Sequence, residues 1–186
     1  MSALQVFFRR AGILKRLKRT GWVKKGVSSP ESVADHSYRV ALMTMTIGSM
    51  KRQRGEIFNL EKALSLSLLH DLPESFIGDL DPETKEILGK RRVTELQRQA
   101  VTSSLDAMPE KLRTLYEKMF QEYENQRTPE AQLVKQIDYV EMILQAREYS
   151  EAEEDGNLEE FWRTWKNNTY DEDIRSLLES IFNDPP

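Results

Sequence analysis

Apolar side chains recur at helical spacing along most of the chain. In the stretch SVADHSYRVALMTMTI, Val40, Met43 and Ile47 follow His36 at intervals of four, three and four residues. All four side chains therefore share one face of a predicted helix. Alternating runs of β-branched residues, which would indicate strands, are missing. The pattern predicts an all-α fold, a helical bundle of about six to eight helices.

Punctuating residues give the approximate ends of these helices. Asn59 and Thr128 are predicted N-caps, and Pro73 ends the helix that Asn59 begins. The loop with Gly21, Gly26 and Pro30 separates the first two helices. Besides the helix with His36 and the helix after Asn59, helices are predicted over about 3–18, 82–105, 109–125 and 129–150.

The second histidine also lies on an apolar face. Ala63, Leu66 and His70 are spaced at i, i+3 and i+7, and Asp71 follows directly. A buried imidazole needs partners for its ring nitrogens, because an unmet polar group costs roughly 1–3 kcal/mol. Taken singly, each histidine is compatible with an ordinary core residue. Both histidines of the chain nevertheless point inward, which indicates a shared role.

Composition describes a highly charged globular protein. Its 186 residues are 39% hydrophobic and 31% charged, which predicts a single domain over 1–186, with a core of about 12–150 and a C-terminal helical extension over about 157–183. The apolar runs are too short to span a membrane, and the N-terminus lacks a signal-peptide core. We therefore expect a cytoplasmic protein without a membrane partner.

Net charge and cysteine content limit the binding partners and the types of metal ligand that we expect. The net charge of −4 argues against a nucleic-acid partner. The local basic run KRLKRTGWVKK is compatible either with a solvated helix end or with a rim that attracts phosphate. Since the chain has no cysteine, a metal ion would be held by nitrogen and oxygen alone.

Four side chains from three predicted helices combine into a candidate metal site. They are His36, His70, Asp71 and Asp138, which borders the apolar stripe of its own helix. Helical bundles often build metal sites from side chains that face each other in this way. Two nitrogen ligands disfavour magnesium and calcium and leave manganese, cobalt, iron, nickel or zinc as candidates.

The order of these ligands resembles the H…HD…D signature of the HD-domain phosphohydrolase superfamily. The blocks RTGWVKKGVSSPESVADHSYRVA, LLHDLPESFIGDLDP and QIDYVEMILQAREY are similar to those of the HD-domain 5′-nucleotidases that act on deoxyribonucleoside monophosphates. They cover about residues 12 to 150. The resemblance implies hydrolysis of a deoxyribonucleoside monophosphate with one divalent transition-metal ion, because the binuclear variants use additional histidines.

The resemblance also implies roles beside the metal. Glu74 corresponds to the general acid or base, and Asp79 to a residue that contacts the sugar or assists catalysis, although Asp79 is also compatible with a turn cap. Arg19 and Trp22 lie where relatives place an arginine and a tryptophan near the nucleotide. Two residues separate them here, whereas they are adjacent in some relatives, and Tyr139 replaces an expected basic residue. The basic residue that binds phosphate is therefore left open.

The sequence leaves two alternative functions open, and it leaves two possible roles open for Asp35. One alternative is an HD-type phosphodiesterase or pyrophosphohydrolase of signalling nucleotides, and the other is a non-enzymatic domain that senses nucleotides. Asp35 either fixes the tautomer of His36, as metal-bound histidines require, or faces solvent. The resemblance further implies a homodimer.

Overall fold

The computed structural model describes residues 2–106, 108–152 and 170–183. Within these ranges the only extended pairing is an isolated bridge between Lys18 and Ser32. The helices are α1 (Ala3–Ala11), a 3₁₀ turn (Gly12–Lys15), α2 (Thr20–Lys24), α3 (Val33–Gln53), α4 (Leu60–Leu69), α5 (Glu74–Ile77), α6 (Pro82–Leu88), α7 (Lys90–Leu105), α8 (Glu110–Asn125), α9 (Pro129–Glu151) and α10 (Glu172–Asn183). The all-α prediction is confirmed, and seven of these described α-helices have nine residues or more.

The predicted helix starts are confirmed in detail. The side chain of Asn59 accepts the Lys62 amide at 3.0 Å, and Thr128 accepts the Ala131 amide at 3.3 Å. Each cap satisfies one of the backbone N–H groups that the first helical turn leaves unpaired. The helices that carry His70 and Asp138 therefore begin where their sequences indicate.

Two predicted helices have different ends in the structure, and one short helix was not predicted. The first helix stops at Ala11 and continues only as a 3₁₀ turn, short of the expected residue 18. A short helix, α2, forms inside the expected loop. The expected helix over 82–105 is divided at Gly89, whose φ of 76° lies in the left-handed region that favours glycine.

Helix α9 lies at the centre of the fold, packed against α3, α4, α8 and α10. Val40 of α3, Leu66 of α4 and Ile137 of α9 are buried in its main core. The buried faces of α3 and α4 thus carry both histidines toward α9. Of the predicted C-terminal extension, residues 157–169 lie outside the described ranges. The rest includes α10, which packs on α9 through Ile174.

Among the helices that the structure describes, none is both long enough and apolar enough to cross a membrane.

Candidate active site

Three predicted site residues meet between α3 and the end of α4. The Nε2 atoms of His36 and His70 lie 3.4 Å apart. Asp71 Oδ2 is 3.6 Å from the Nε2 of His36 and 3.1 Å from that of His70. Potential ligand atoms of the three residues therefore lie within 4.8 Å of one another.

The orientation of His70 is set by the backbone of its own helix. Its Nδ1 donates to the carbonyl of Ser67 at 2.7 Å, three residues earlier in the chain. Since a carbonyl can only accept, Nδ1 carries a proton, and Nε2 is the ring nitrogen that faces His36. Local helix geometry thus presents His70 Nε2 as a ligand.

The orientation of His36 depends instead on a side chain of α9. Its Nδ1 is hydrogen-bonded to Oε2 of Glu141, a fully buried carboxylate. The other oxygen of Glu141 accepts from Arg39 Nε at 2.8 Å. Sequence reasoning missed Glu141, although its position three residues after Asp138 places both carboxylates on neighbouring parts of one helical face.

Asp35, the sequence candidate for orienting His36, does not contact it. Its carboxylate accepts from the amide and the hydroxyl of Ser32 at 2.8 and 2.7 Å, while Ser32 Oγ accepts the Asp35 amide. This is a capping box at the start of α3. Asp35 is exposed, which agrees with the solvent-facing alternative.

Asp138 reaches the same place from α9 but is held differently. Its Oδ1 lies 3.2 Å from His36 Nε2. Its Oδ2 accepts from the Tyr123 hydroxyl at 2.9 Å and from Lys135 Nζ at 3.0 Å. Asp138 is not part of the three-residue cluster within 4.8 Å.

The carboxylates around His36 produce a negative electrostatic environment that stabilises positive charge. Burial and Arg19 lower the pKa of His36, but the hydrogen bonds to Asp138 and Glu141 outweigh them and raise it to about 10. Burial acts to raise the pKa of Asp71, yet His70 and His36 hold it well below the usual range. The cluster is therefore suited to hold a cation.

The residues present fit a divalent transition-metal ion. Ligand atoms bound to one ion at about 2.0–2.2 Å lie roughly 3 Å apart when they are neighbours in its coordination shell. The observed spacings of 3.1–3.6 Å among His36, His70 and Asp71 are close to this value. Both imidazoles also carry the partner on Nδ1, a carboxylate or a carbonyl, that metal-bound histidines typically have.

Glu74 lies beside the cluster as the first residue of α5, after Pro73. Its Oε2 is buried and has no hydrogen-bond partner among the described residues. Burial, together with Asp71 and Asp79, raises the pKa of Glu74 to about 10. Burial beside two carboxylates thus favours the protonated form of the Glu74 carboxyl group at the pocket wall.

Asp79 joins the loop after α5 to the start of α2, and Arg19 joins the start of α2 to the end of α4. Asp79 Oδ2 accepts the Thr20 amide at 2.5 Å, and the Thr20 hydroxyl donates to the Asp79 carbonyl at 2.9 Å. Arg19 Nη1 lies 3.5 Å from Asp71 Oδ2. The turn-cap alternative for Asp79 applies instead to Asp81, whose carboxylate accepts the Thr84 amide at the start of α6.

Trp22 forms part of the pocket wall but is packed into the protein. Only 2% of its surface is exposed. Its indole N–H donates to Glu31 Oε1 at 3.0 Å, and its ring meets Tyr149 edge to face. The structure therefore offers a substrate only a small part of this indole.

The cluster opens into a pocket of about 700 Å³. This volume lies within the range of small-molecule sites. Every sequence-predicted site residue except the fully buried His36 lines it, and the pocket continues toward Lys24, Lys85 and Tyr139. The same pocket includes Tyr123 and Lys135, which sequence reasoning did not identify.

One family profile and two named relatives each match most of this chain. The profile described as HD domain matches residues 11–177. A Danio rerio protein named 5′-deoxynucleotidase HDDC2 is 35% identical over 182 residues, which cover 97% of this chain and 87% of that protein. The Homo sapiens protein of the same name is 38% identical over 161 residues, covering 86% and 75%.

A solved structure shows a similar fold. A conserved hypothetical protein from Pyrococcus furiosus superposes with a TM-score of 0.79 and 38% sequence identity. The match covers 95% of this chain and 97% of that one.

Proposed function

Because this chain belongs to the HD domain family, we propose that it is a metal-dependent 5′-deoxynucleotidase. It hydrolyses deoxyribonucleoside 5′-monophosphates to a deoxynucleoside and phosphate. The names of its Danio rerio and Homo sapiens relatives support the reaction. The single observation that carries the proposal is the convergence of two imidazole nitrogens and a carboxylate beside the buried carboxyl group of Glu74 in one pocket.

In this proposal His36, His70, Asp71 and Asp138 hold one divalent ion, which is manganese, cobalt, iron, nickel or zinc. Such an ion lowers the pKa of water and offsets negative charge on the phosphoryl group. The orientation of the two imidazoles and the demand of the cluster for positive charge support this ligand set. A phosphate monoester needs such help because its uncatalysed hydrolysis is extremely slow.

Glu74 acts as the general acid and base. Its protonated carboxyl donates to the 5′-oxygen as the bond between phosphorus and that oxygen breaks, and the resulting carboxylate accepts a proton from the attacking water. Water thus supplies both the new oxygen on phosphorus and the proton that restores Glu74. The raised pKa favours the protonated form that the first step requires.

Arg19 and Asp79 position the substrate at the same wall. The Arg19 guanidinium, already beside Asp71, offers a planar pair of donors to phosphoryl oxygens. Asp79 contacts the sugar and also holds the start of α2 through Thr20. Trp22 supports this wall from within the core and presents its small exposed part to the nucleotide.

The test is release of phosphate from a panel of deoxyribonucleoside and ribonucleoside 5′-monophosphates, with metal-stripped protein resupplied with each candidate ion. We expect release from the deoxyribonucleotides, restored by a transition-metal ion. Signalling nucleotides and phosphodiesters belong in the same panel. Turnover confined to them would replace the proposal by the phosphodiesterase or pyrophosphohydrolase alternative, and binding without any turnover would favour a nucleotide sensor.

Two further parts of the proposal concern the protein as a whole. We propose a homodimer and a cytoplasmic location, the first from the family resemblance and the second from the sequence. Sedimentation equilibrium measures the molar mass in solution, and a mass near 21.7 kDa, that of one chain, would contradict the dimer.

A further inference from the structure

The pocket presents many carboxylates to a substrate that is itself an anion. Seven acidic residues line it: Asp71, Glu74, Asp79, Asp81, Glu83, Glu124 and Asp138. Binding a phosphate monoester among them requires cationic donors close to the reacting group. Arg19 provides one such donor at Asp71, and the question is which residue provides the next.

Lys135 has the position that this role requires. It lies on α9 one turn before Asp138, and its Nζ is 3.0 Å from Asp138 Oδ2. The same nitrogen donates to the Tyr123 hydroxyl at 3.1 Å and lies 5.2 Å from the centre of the Tyr123 ring. Lys135 lines the pocket with 46% of its side chain exposed. Its ammonium group is thus both fixed and accessible.

The donor count leaves one proton of this ammonium group for a ligand. An ammonium group has three N–H donors and no acceptor. Two of them reach Asp138 and Tyr123, and within the part of the chain that the structure describes no further acceptor lies within hydrogen-bond reach. The third donor is available to an oxygen in the pocket.

Lys24 is less suited to the same task. Its Nζ is held between the carboxylates of Asp81 and Glu83, each at 3.0 Å. Neither carboxylate belongs to the histidine cluster. The charge of Lys24 is therefore neutralised at the far part of the wall, where it stabilises the start of α6.

We propose that Lys135, held in place by Tyr123 and Asp138, is the second phosphate-binding residue of the pocket. It donates its remaining N–H to a phosphoryl oxygen, while Arg19 approaches the same group from the side of Asp71. This inference rests on the proposed function and names the cation that sequence reasoning left open. Because α9 is buried at the centre of the fold, the lysine is carried by a rigid element.

The test measures binding of inorganic phosphate, the product, to the metal-loaded protein by calorimetry and as a competitive inhibitor. Lys135→Met keeps the length of the side chain and removes the charge. Losing one charge-assisted hydrogen bond predicts phosphate binding weaker by about tenfold to a hundredfold. We expect KM for the nucleotide to rise by a similar factor, and Lys135→Arg to recover most of the loss.

Lys62→Met is the matched control. Lys62 also pairs with two carboxylates, Glu122 and Glu130, but it does not line the pocket. We expect this variant to bind phosphate like the parent protein, which separates loss of a local charge from general loss of stability.

Two results would overturn the inference. One is unchanged phosphate affinity in Lys135→Met, and the other is loss of phosphate only in proportion to loss of the bound metal, which would mean that Lys135 acts through Asp138. Failure of the proposed function is distinguishable from both. In that case the parent protein releases no phosphate from any monophosphate, while its affinity for inorganic phosphate is still measurable.

Discussion

The two histidines of this protein face each other at 3.4 Å but are supported in opposite ways. His70 donates to a backbone carbonyl one turn earlier in its own helix. His36 relies on Glu141, a side chain 105 residues away in the sequence. One half of the site is thus built by local helix geometry, and the other half by the packing of α3 against α9.

Because of this difference, a side-chain substitution can remove the Nδ1 partner of His36 but not that of His70. No substitution of Ser67 removes its carbonyl, so the partner of His70 is insensitive to side-chain changes. Glu141 can be replaced directly, and its loss would remove the carboxylate partner of both His36 Nδ1 and Arg39 Nε. The tautomer of His36 is therefore the more vulnerable of the two.

The largest loss of metal and activity is expected when either histidine is replaced, and the two losses should be equal. His36→Ala and His70→Ala each remove one of the two proposed nitrogen ligands, so both should bind no stoichiometric metal and lose activity by about 10⁴-fold or more. Metal content after dialysis, measured by mass spectrometry beside phosphate release, checks this. Full metal content in either variant would remove that histidine from the ligand set.

Glu74→Gln tests the proposed proton transfer separately from metal binding by the two histidines. The amide preserves shape but cannot donate and take back the proton, so kcat should fall by about 10²- to 10⁴-fold. Metal content should stay at the parent level. A variant that keeps its kcat would assign the proton transfer to another group.

Glu141→Gln compared with Ser67→Ala tests the contrast itself. The glutamine keeps the shape but weakens the polarisation of His36, which should reduce metal affinity about 10- to 100-fold. Ser67→Ala leaves the backbone carbonyl in place, so metal affinity should stay unchanged. Competition with a chelator gives both values. Equal loss in the two variants would contradict the distinction between side-chain and backbone support.

The smallest effect is expected for Asp35→Ala, which removes the capping box of α3 without touching His36. Hydrogen bonds from the Ser32 amide and hydroxyl hold the pKa of Asp35 below its ordinary value of 3.8. The stabilisation is therefore complete above that value and is lost as the pH falls below it. Denaturant unfolding at neutral pH should show a loss of roughly 1 kcal/mol, which disappears in acid.

Metal affinity provides the other half of this test. Asp35→Ala should retain the metal affinity of the parent protein, because among the described residues the Asp35 carboxylate hydrogen-bonds only to Ser32. A decrease comparable to that of Glu141→Gln would show that the helix start also orients the histidine.

The same contrast explains what the sequence could predict. Apolar periodicity indicated that His36 and His70 point inward, and cap residues marked the starts of α4 and α9, because these signals are local. The pairing of His36 with Glu141 depends on how α3 packs against α9, for which one sequence has no local signal. The division at Gly89 was missed because a single glycine is compatible with a continuous helix.

In the proposed mechanism, hydrolysis requires one divalent ion, held by residues around the two differently supported histidines. The most direct measurement is a titration of metal-stripped protein with manganese or cobalt, following phosphate release from a deoxyribonucleoside 5′-monophosphate at each step. Activity should rise in proportion to bound metal and reach its plateau at one ion per chain. Full turnover by the stripped protein, or a plateau that requires a second ion, would contradict this mechanism.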